Sequence, residues 1–156
     1  MLRRARVRRT RKGTFRFDLT GDERTVLRGL FEQLASLVRG EGPSDERVRR
    51  LFPTAYANDA DADAEYQQLT RDDLVASRLA AIDTVLATID AAELDADQLD
   101  AWMATVNGVR LVLGTMLSVD EDLDVFAAAA DDPDAEGYLL YGYLSGLLND
   151  MVEAVL

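Results

Sequence analysis

Apolar residues recur along most of the chain at the three-to-four-residue spacing of amphipathic α-helices. This spacing is clear in residues 27–38, 74–89 and 138–155. Residues 102–117 differ, because they are apolar almost throughout and carry a single charge, Arg110. A helix that is apolar on all sides is typically buried. We therefore expect residues 102–117 to form the centre of a helical bundle.

The N-terminal residues 2–19 alternate between apolar and polar side chains, which predicts a β-hairpin. A two-residue loop would place Val7 and Phe17 on opposite faces, whereas a three-residue loop over residues 11–13 pairs them. Gly13 supplies the left-handed conformation that such a loop needs. An isolated hairpin is only marginally stable in water, so its apolar face should pack on the helices. The opposite face carries Arg4, Arg6, Arg8 and Arg16.

Capping signals divide the rest of the chain into helices. Thr20 with Glu23, and Asp95 with Gln98, have the spacing of capping boxes. The predicted helices begin at about residues 20, 44, 59, 70, 95 and 132, the fourth of them capped by Thr70 and Asp73. We predict a mainly α fold: a single-domain helical bundle of about five to six helices (residues 20–156) with an N-terminal basic β-hairpin (residues 1–19).

Charge is distributed unevenly along the chain. The net charge is −12, yet residues 1–17 contain eight Arg or Lys and no acid. Residues 51–156 contain three cations and twenty-two acids, a net −19. The sequence thus indicates a basic N-terminal part on an acidic body.

The chain contains no cysteine and no histidine. Disulfides, thiol nucleophiles, Ser-His triads and the usual zinc sites are therefore excluded. The acids near residue 59 resemble a calcium loop only briefly, because Ala64 and Thr70 stand where Gly and Glu are needed. We expect a non-enzymatic protein without a metal or other cofactor.

No apolar run approaches the length of about eighteen residues that would indicate a membrane-spanning helix. The arginine-rich N-terminus is not followed by the apolar segment of a secretory signal. We therefore expect no membrane association and a cytoplasmic location.

Arg110 is the only cation in residues 79–156, among sixteen acids. An ionised guanidinium in an apolar helix needs polar partners, and Asn107 lies three residues earlier on the same helical face. We expect Arg110 to hydrogen-bond an acid of the two preceding helices; the alternative is that it binds an anionic ligand. The candidate acids are Glu65, Asp72 and Asp73.

Gly108 and Gly114 lie inside the same predicted helix. Each costs a helix about 1 kcal/mol relative to Ala. Their presence predicts the close approach of another backbone, or a bend after Asn107.

The arginine-bearing face of the hairpin is the strongest functional signal. Clustered arginines are typical of surfaces that bind phosphate backbones or acidic protein partners. The alternative is that they solvate the hairpin or neutralise the acidic body. The apolar stripe of the last helix continues to Leu156, so a homodimer partner is a further possibility.

Several short motifs stand out in the middle of the chain and in the central helix: Phe52-Pro53-x-x-Tyr56, Glu65-Tyr66, Leu69-Thr70-x-x-x-Leu74, Trp102, and residues 106–117 with Asn107 and Arg110. These motifs resemble a small actinobacterial family, long listed as a domain of unknown function and now often called AosR-like after an oxidative-stress transcriptional regulator. At two positions the sequence departs from the family pattern: Gly108 replaces an acid and Met116 replaces a basic residue.

The resemblance implies a helical regulatory protein that contacts the transcription machinery, either RNA polymerase or a sigma factor. Genes of the family also tend to lie beside the gene for the protease adaptor ClpS, which implies a second possible partner in Clp proteolysis. Redox sensing through a disulfide is not possible here, since the sequence lacks cysteine.

Overall fold

A computed structural model describes residues 4–40, 60–117 and 135–156, with side chains described from residue 72 onward in the second range. Within these ranges the protein is mainly helical, with one small antiparallel sheet of order β1-β2-β3. The elements are β1 (Val7–Arg9), β2 (Phe15–Phe17), α1 (Gly21–Gly40), α2 (Ala60–Ala87), β3 (Glu93–Leu94), α3 (Ala96–Met116) and α4 (Ala135–Val155).

The predicted hairpin is confirmed, including its register. Val7 lies opposite Phe17 across the antiparallel β1–β2 pair. The loop residue Gly13 has a φ of 85°, a left-handed conformation that costs glycine little. The sheet also has a strand that the sequence analysis did not predict, because β3 adds two residues beside β2, with Leu94 opposite Phe15.

Both capping boxes are confirmed. The Thr20 hydroxyl accepts from the Glu23 backbone N–H at 3.1 Å, and the Glu23 carboxylate accepts from the Thr20 N–H at 3.2 Å. Asp95 and Gln98 make the same reciprocal pair at the start of α3. These local signals place the beginnings of α1 and α3 correctly.

The prediction of two helices between residues 59 and 90 is wrong. The structure has one continuous helix, α2, running through Thr70 and Asp73. No glycine or proline lies between Ala60 and Ala87, so nothing forces a break and the capping signal is not used. The described residues therefore form four helices, fewer than predicted. The helix expected to begin at about residue 44 lies outside the described residues.

The core is one cluster to which the strands and all four described helices contribute. Trp102 at its centre is fully buried and meets the ring edges of Phe17 and Phe31, at centroid distances of 4.9 and 5.6 Å. Its indole N–H donates to the Thr88 hydroxyl at 2.8 Å. The prediction of a buried central helix is confirmed for the α3 residues Leu99, Trp102, Val106, Val109 and Val112.

The last helix turns a somewhat different face to the core than its apolar pattern predicts. Leu144, Leu147 and Met151 are buried, whereas Val152 and Val155 are exposed. Among the described residues, no helix is long and apolar enough to cross a membrane.

Candidate functional site: the arginine face of the sheet

Alternation along the two hairpin strands separates an apolar face from a cationic one. Val7, Phe15 and Phe17 are buried against the helices. Arg8 and Arg16 lie opposite each other on the outer side of the sheet. We call Arg4, Arg8, Arg16 and the adjacent Asp18 the arginine face.

The three guanidinium groups of the arginine face converge on one carboxylate. Arg8 Nη2 donates to Asp18 Oδ2 at 2.7 Å. Arg4 Nη2 lies 3.7 Å from the same oxygen, and Arg16 Nε lies 3.5 Å from Oδ1. The hydrogen bond from Arg8, and the positive charges of all three arginines, hold the pKa of Asp18 below its usual value. One negative charge is thus shared among three positive ones.

The side chains of the arginine face differ in exposure. Those of Arg4 and Arg16 are 71% and 64% exposed, whereas that of Arg8 is 42% exposed and its Nε is buried. Exposed cations are also present at the hairpin tip, where Arg11 and Lys12 follow β1. The face therefore retains net positive charge that is open to solvent.

Arg6 does not belong to this open face, contrary to the prediction. Its Nε donates to Glu23 Oε1 at 3.0 Å, and its guanidinium lies 5.1 Å from the ring centre of Tyr143. Its backbone N–H donates to the buried carboxylate of Asp150 at 3.0 Å. Arg6 fastens the first strand to α1 and α4, because strand pairing places it where the hairpin meets the bundle.

Tyr143 carries a perturbed ionisation at this junction. Burial, and then the negative charge of Glu23, raise the pKa of Tyr143 to about 12. The neutral phenol beneath Arg6 is consistent with a docking role rather than with proton transfer.

Arg24 is a structural residue that the sequence analysis missed. Its guanidinium donates to four backbone carbonyls, at distances between 2.6 and 3.3 Å. These carbonyls belong to three separate segments: the end of β2, the turn after it, and the connection between α2 and β3. Arg24 therefore ties the sheet to α1. The acceptors are Phe17, Leu19, Ile89 and Ala91.

Among the described side chains, the partners of Arg110 are neutral, and neither described candidate acid is one of them. Its Nε and Nη2 donate to Asn107 Oδ1 at 3.3 and 3.1 Å, and its Nη1 donates to the Tyr141 hydroxyl at 3.3 Å. Within the described side chains, neither Asp72 nor Asp73 forms an ion pair with Arg110. The reason is geometric: Arg110 faces α4, whereas both acids are exposed on α2. The side chain of the third candidate, Glu65, lies outside the described side chains.

The remaining motif residues have structural surroundings. Gly108 is buried and lines a cavity of about 10 Å³ with Arg78 and Ile82 of α2. The close approach of another backbone at this glycine stays a prediction. Gly114 is buried as well, and α3 continues through both glycines. Tyr56 lies outside the described residues.

Comparison with known families identifies the chain at the level of its sequence family. A family profile described as "Domain of unknown function (DUF2017)" matches residues 3–155. The chain belongs to the DUF2017 family. No curated protein and no solved structure matches the chain. Membership thus covers the arginine face, Arg24 and the Asn107–Arg110 pair, and it assigns none of them a role.

The described part of this DUF2017 protein offers little else that is typical of a small-molecule site. No group of three acids, histidines or cysteines among the described residues is placed to hold a metal ion. A groove of about 140 Å³ lies between α1 and α3, and its lining is almost entirely apolar. It contains no charged group that would orient a ligand. The groove residues are Leu30, Gln33, Leu34, Leu37, Val109, Val112, Leu113 and Met116.

Proposed function

We propose that this DUF2017 protein is a non-enzymatic interaction protein of the AosR-like type. It acts in transcription regulation by binding RNA polymerase or a sigma factor through the arginine face. The observation that carries the proposal is the excess of exposed cations on one face of the sheet, where three arginines share the single carboxylate of Asp18. The resemblance of the motifs around Asn107 and Arg110 supports the transcriptional context.

A protein partner fits the charge distribution better than a nucleic acid does. Residues 51–156 carry a net charge of −19, and a rigid duplex lying across the sheet would bring its phosphates close to this acidic body. A protein surface can present a few carboxylates to the arginine face alone. Electrostatic complementarity of this kind steers association and selects partners.

The experiment measures binding of the purified protein to RNA polymerase, with and without sigma factor, by biolayer interferometry over a series of NaCl concentrations. We expect binding that weakens with salt and is lost in an Arg4→Gln/Arg16→Gln double variant. The matched control is Arg28→Gln/Arg39→Gln, which removes two exposed cations from α1 and should retain binding. Equal loss in both double variants would refute a specific role of the arginine face.

Nucleic-acid binding is the second candidate, favoured by the same exposed arginines. It predicts that affinity for duplex DNA falls steeply with salt. Replacing Arg4 and Arg8 by Ala should then abolish it, and a flat salt response would exclude it. Contact with the Clp machinery rests on the family resemblance alone. A ClpS-dependent degradation assay tests it, since an unchanged rate on adding the protein would rule it out.

A further inference from the structure

The arginine face contains an anion of its own at the point where its cations meet. Asp18 lies within 4 Å of Arg4, Arg8 and Arg16. Three guanidinium groups that approach a single carboxylate form a compact site for an acidic group. They do not form the extended row of cations that would follow a phosphate backbone.

The three ion pairs are not equivalent. Arg8 donates a short hydrogen bond of 2.7 Å to Asp18 and is the least exposed of the three arginines, so it binds this carboxylate most firmly. Arg4 and Arg16 lie at 3.7 and 3.5 Å and remain mostly exposed. Loose, exposed ion pairs contribute little to stability, so these two guanidinium groups can exchange Asp18 for another carboxylate at low cost.

Resting on the proposed function, we infer that Asp18 is an internal competitor for the acidic group of the partner. Arg4 and Arg16 bind the partner's carboxylates, while Arg8 keeps Asp18 in position. The partner chemistry is an acidic protein segment with neighbouring Asp or Glu side chains. Asp18 thus lowers the affinity of the face and favours partners with more than one acidic group over isolated anions.

The electrostatic size of the effect can be stated as a binding ratio. In water, the repulsion between two unit negative charges about 4 Å apart lowers binding affinity by about a factor of five. Asp18→Asn should therefore bind an acidic segment about fivefold more tightly than the wild type does, by the same estimate. Arg4→Gln and Arg16→Gln should each weaken binding by at least that factor, and Arg8→Gln should weaken it less.

Asp72→Asn is the matched control, because it removes one acidic charge from an exposed position on α2. Asp72 lies about 22 Å along the helix from Ala87, at a rise of about 1.5 Å per residue. The chain reaches the sheet shortly after the end of α2, where the Ala92 carbonyl accepts a hydrogen bond from the Phe17 N–H. This separation exceeds the screening length of about 8 Å at physiological salt, so the control should leave affinity almost unchanged.

The test is fluorescence anisotropy with a fluorescein-labelled oligoglutamate peptide, using the full chain and its variants over a series of NaCl concentrations. Circular dichroism verifies that each variant is folded. Tighter binding by Asp18→Asn than by Asp72→Asn, with loss in Arg4→Gln and Arg16→Gln, supports the inference.

The other outcomes separate the inference from the proposed function. If the wild type binds and Asp18→Asn binds no more tightly than Asp72→Asn, the competitor role is refuted while the proposed function stands. If neither the wild type nor Asp18→Asn binds the peptide, the acidic-partner function itself is refuted. Binding of duplex DNA in preference to the peptide also overturns the inference, in favour of a nucleic-acid surface.

Discussion

The two faces of the hairpin are formed by neighbouring residues but have different roles. On the inner face Val7, Phe15 and Phe17 are at most 4% exposed, and Phe17 packs on Trp102. On the outer face, the side chain of Arg16 is 64% exposed and its only contact of opposite charge in the described structure is a 3.5 Å approach to Asp18. The inner face packs on the core, whereas the outer face carries charge that is largely open to solvent.

Charge alone does not decide which arginines stabilise the fold. Arg24 is as cationic as Arg16, yet its donors are satisfied by four backbone carbonyls from separate segments. Fixed backbone acceptors hold a guanidinium in one geometry, whereas a shared, exposed carboxylate leaves it able to change partners. The partner, rather than the residue type, therefore separates the structural arginines from those available for binding.

The largest expected effect compares adjacent residues on opposite faces. Phe17→Ala should lower the free energy of unfolding by about 3–5 kcal/mol, because it removes a buried ring from the contact with Trp102. Arg16→Ala should change it by less than about 0.5 kcal/mol, as for an exposed ion pair. Urea unfolding followed by circular dichroism measures both. Comparable losses in the two variants would show that the outer face is also structural.

The next effect compares two arginines one helical turn apart on α1. Arg24→Ala leaves backbone carbonyls without their donor, and we expect a loss of about 2–4 kcal/mol, since each unsatisfied buried group costs about 1–3 kcal/mol. Within the described residues, Arg28→Ala breaks the exposed pair with Asp90, and it should cost less than about 1 kcal/mol. The same unfolding experiment applies. If Arg28→Ala proves as costly as Arg24→Ala, the carbonyl contacts are not what stabilises this junction.

Features with local signals could be predicted from the sequence. The hairpin register follows from alternation, from Gly13 in the loop, and from the requirement that Val7 and Phe17 share a face. The capping boxes involve residues three positions apart. The burial of Trp102 follows from the apolar run around it.

Features that depend on distant segments could not be predicted. Two of the four carbonyls bound by Arg24, those of Ile89 and Ala91, come from 65 and 67 residues later in the chain. β3 has two residues, too few for any periodicity. The capping signal at Thr70 is compatible with a helix start but does not require one, so only the folded chain shows that α2 runs through it.

The separation of Arg6 from the arginine face could not be predicted from the sequence either. Alternation assigned Arg6 and Arg8 to one face alike, but Arg6 contacts Glu23 and Tyr143 while Arg8 contacts Asp18. The same limit applies to Arg110, whose partner Tyr141 lies 31 residues later on α4. Shared faces can be deduced from spacing, whereas partners depend on how the helices dock.

Tyr143 allows the junction between hairpin and α4 to be probed by pH. Its pKa is raised from 10.0 to about 12 in the folded protein, so the unfolded chain loses the proton first as the pH rises. The contribution of Tyr143 to the free energy of unfolding is therefore fully present below pH 10 and is lost between pH 10 and about 12. Tyr143→Phe should flatten the alkaline decline in unfolding free energy, and Tyr141→Phe controls for loss of a hydroxyl on the same helix. An unchanged decline in Tyr143→Phe would contradict a buried phenol at the junction.

The smallest expected effect concerns how acid changes the stability contributed by the outer face. The hydrogen bond from Arg8 and the surrounding arginine charges lower the pKa of Asp18 in the folded protein. The ionised carboxylate therefore stabilises the fold above the unfolded pKa of 3.8. This contribution is lost as the pH falls through the lower pKa of the folded protein. Because the arginine face is exposed, the contribution should be small. Unfolding free energies of Asp18→Asn and the wild type should then differ slightly at pH 6 and converge in acid, relative to the Asp72→Asn control. A large difference at pH 6 would mean that Asp18 is a structural residue, and a carboxylate fixed in that way could not yield its place to a partner.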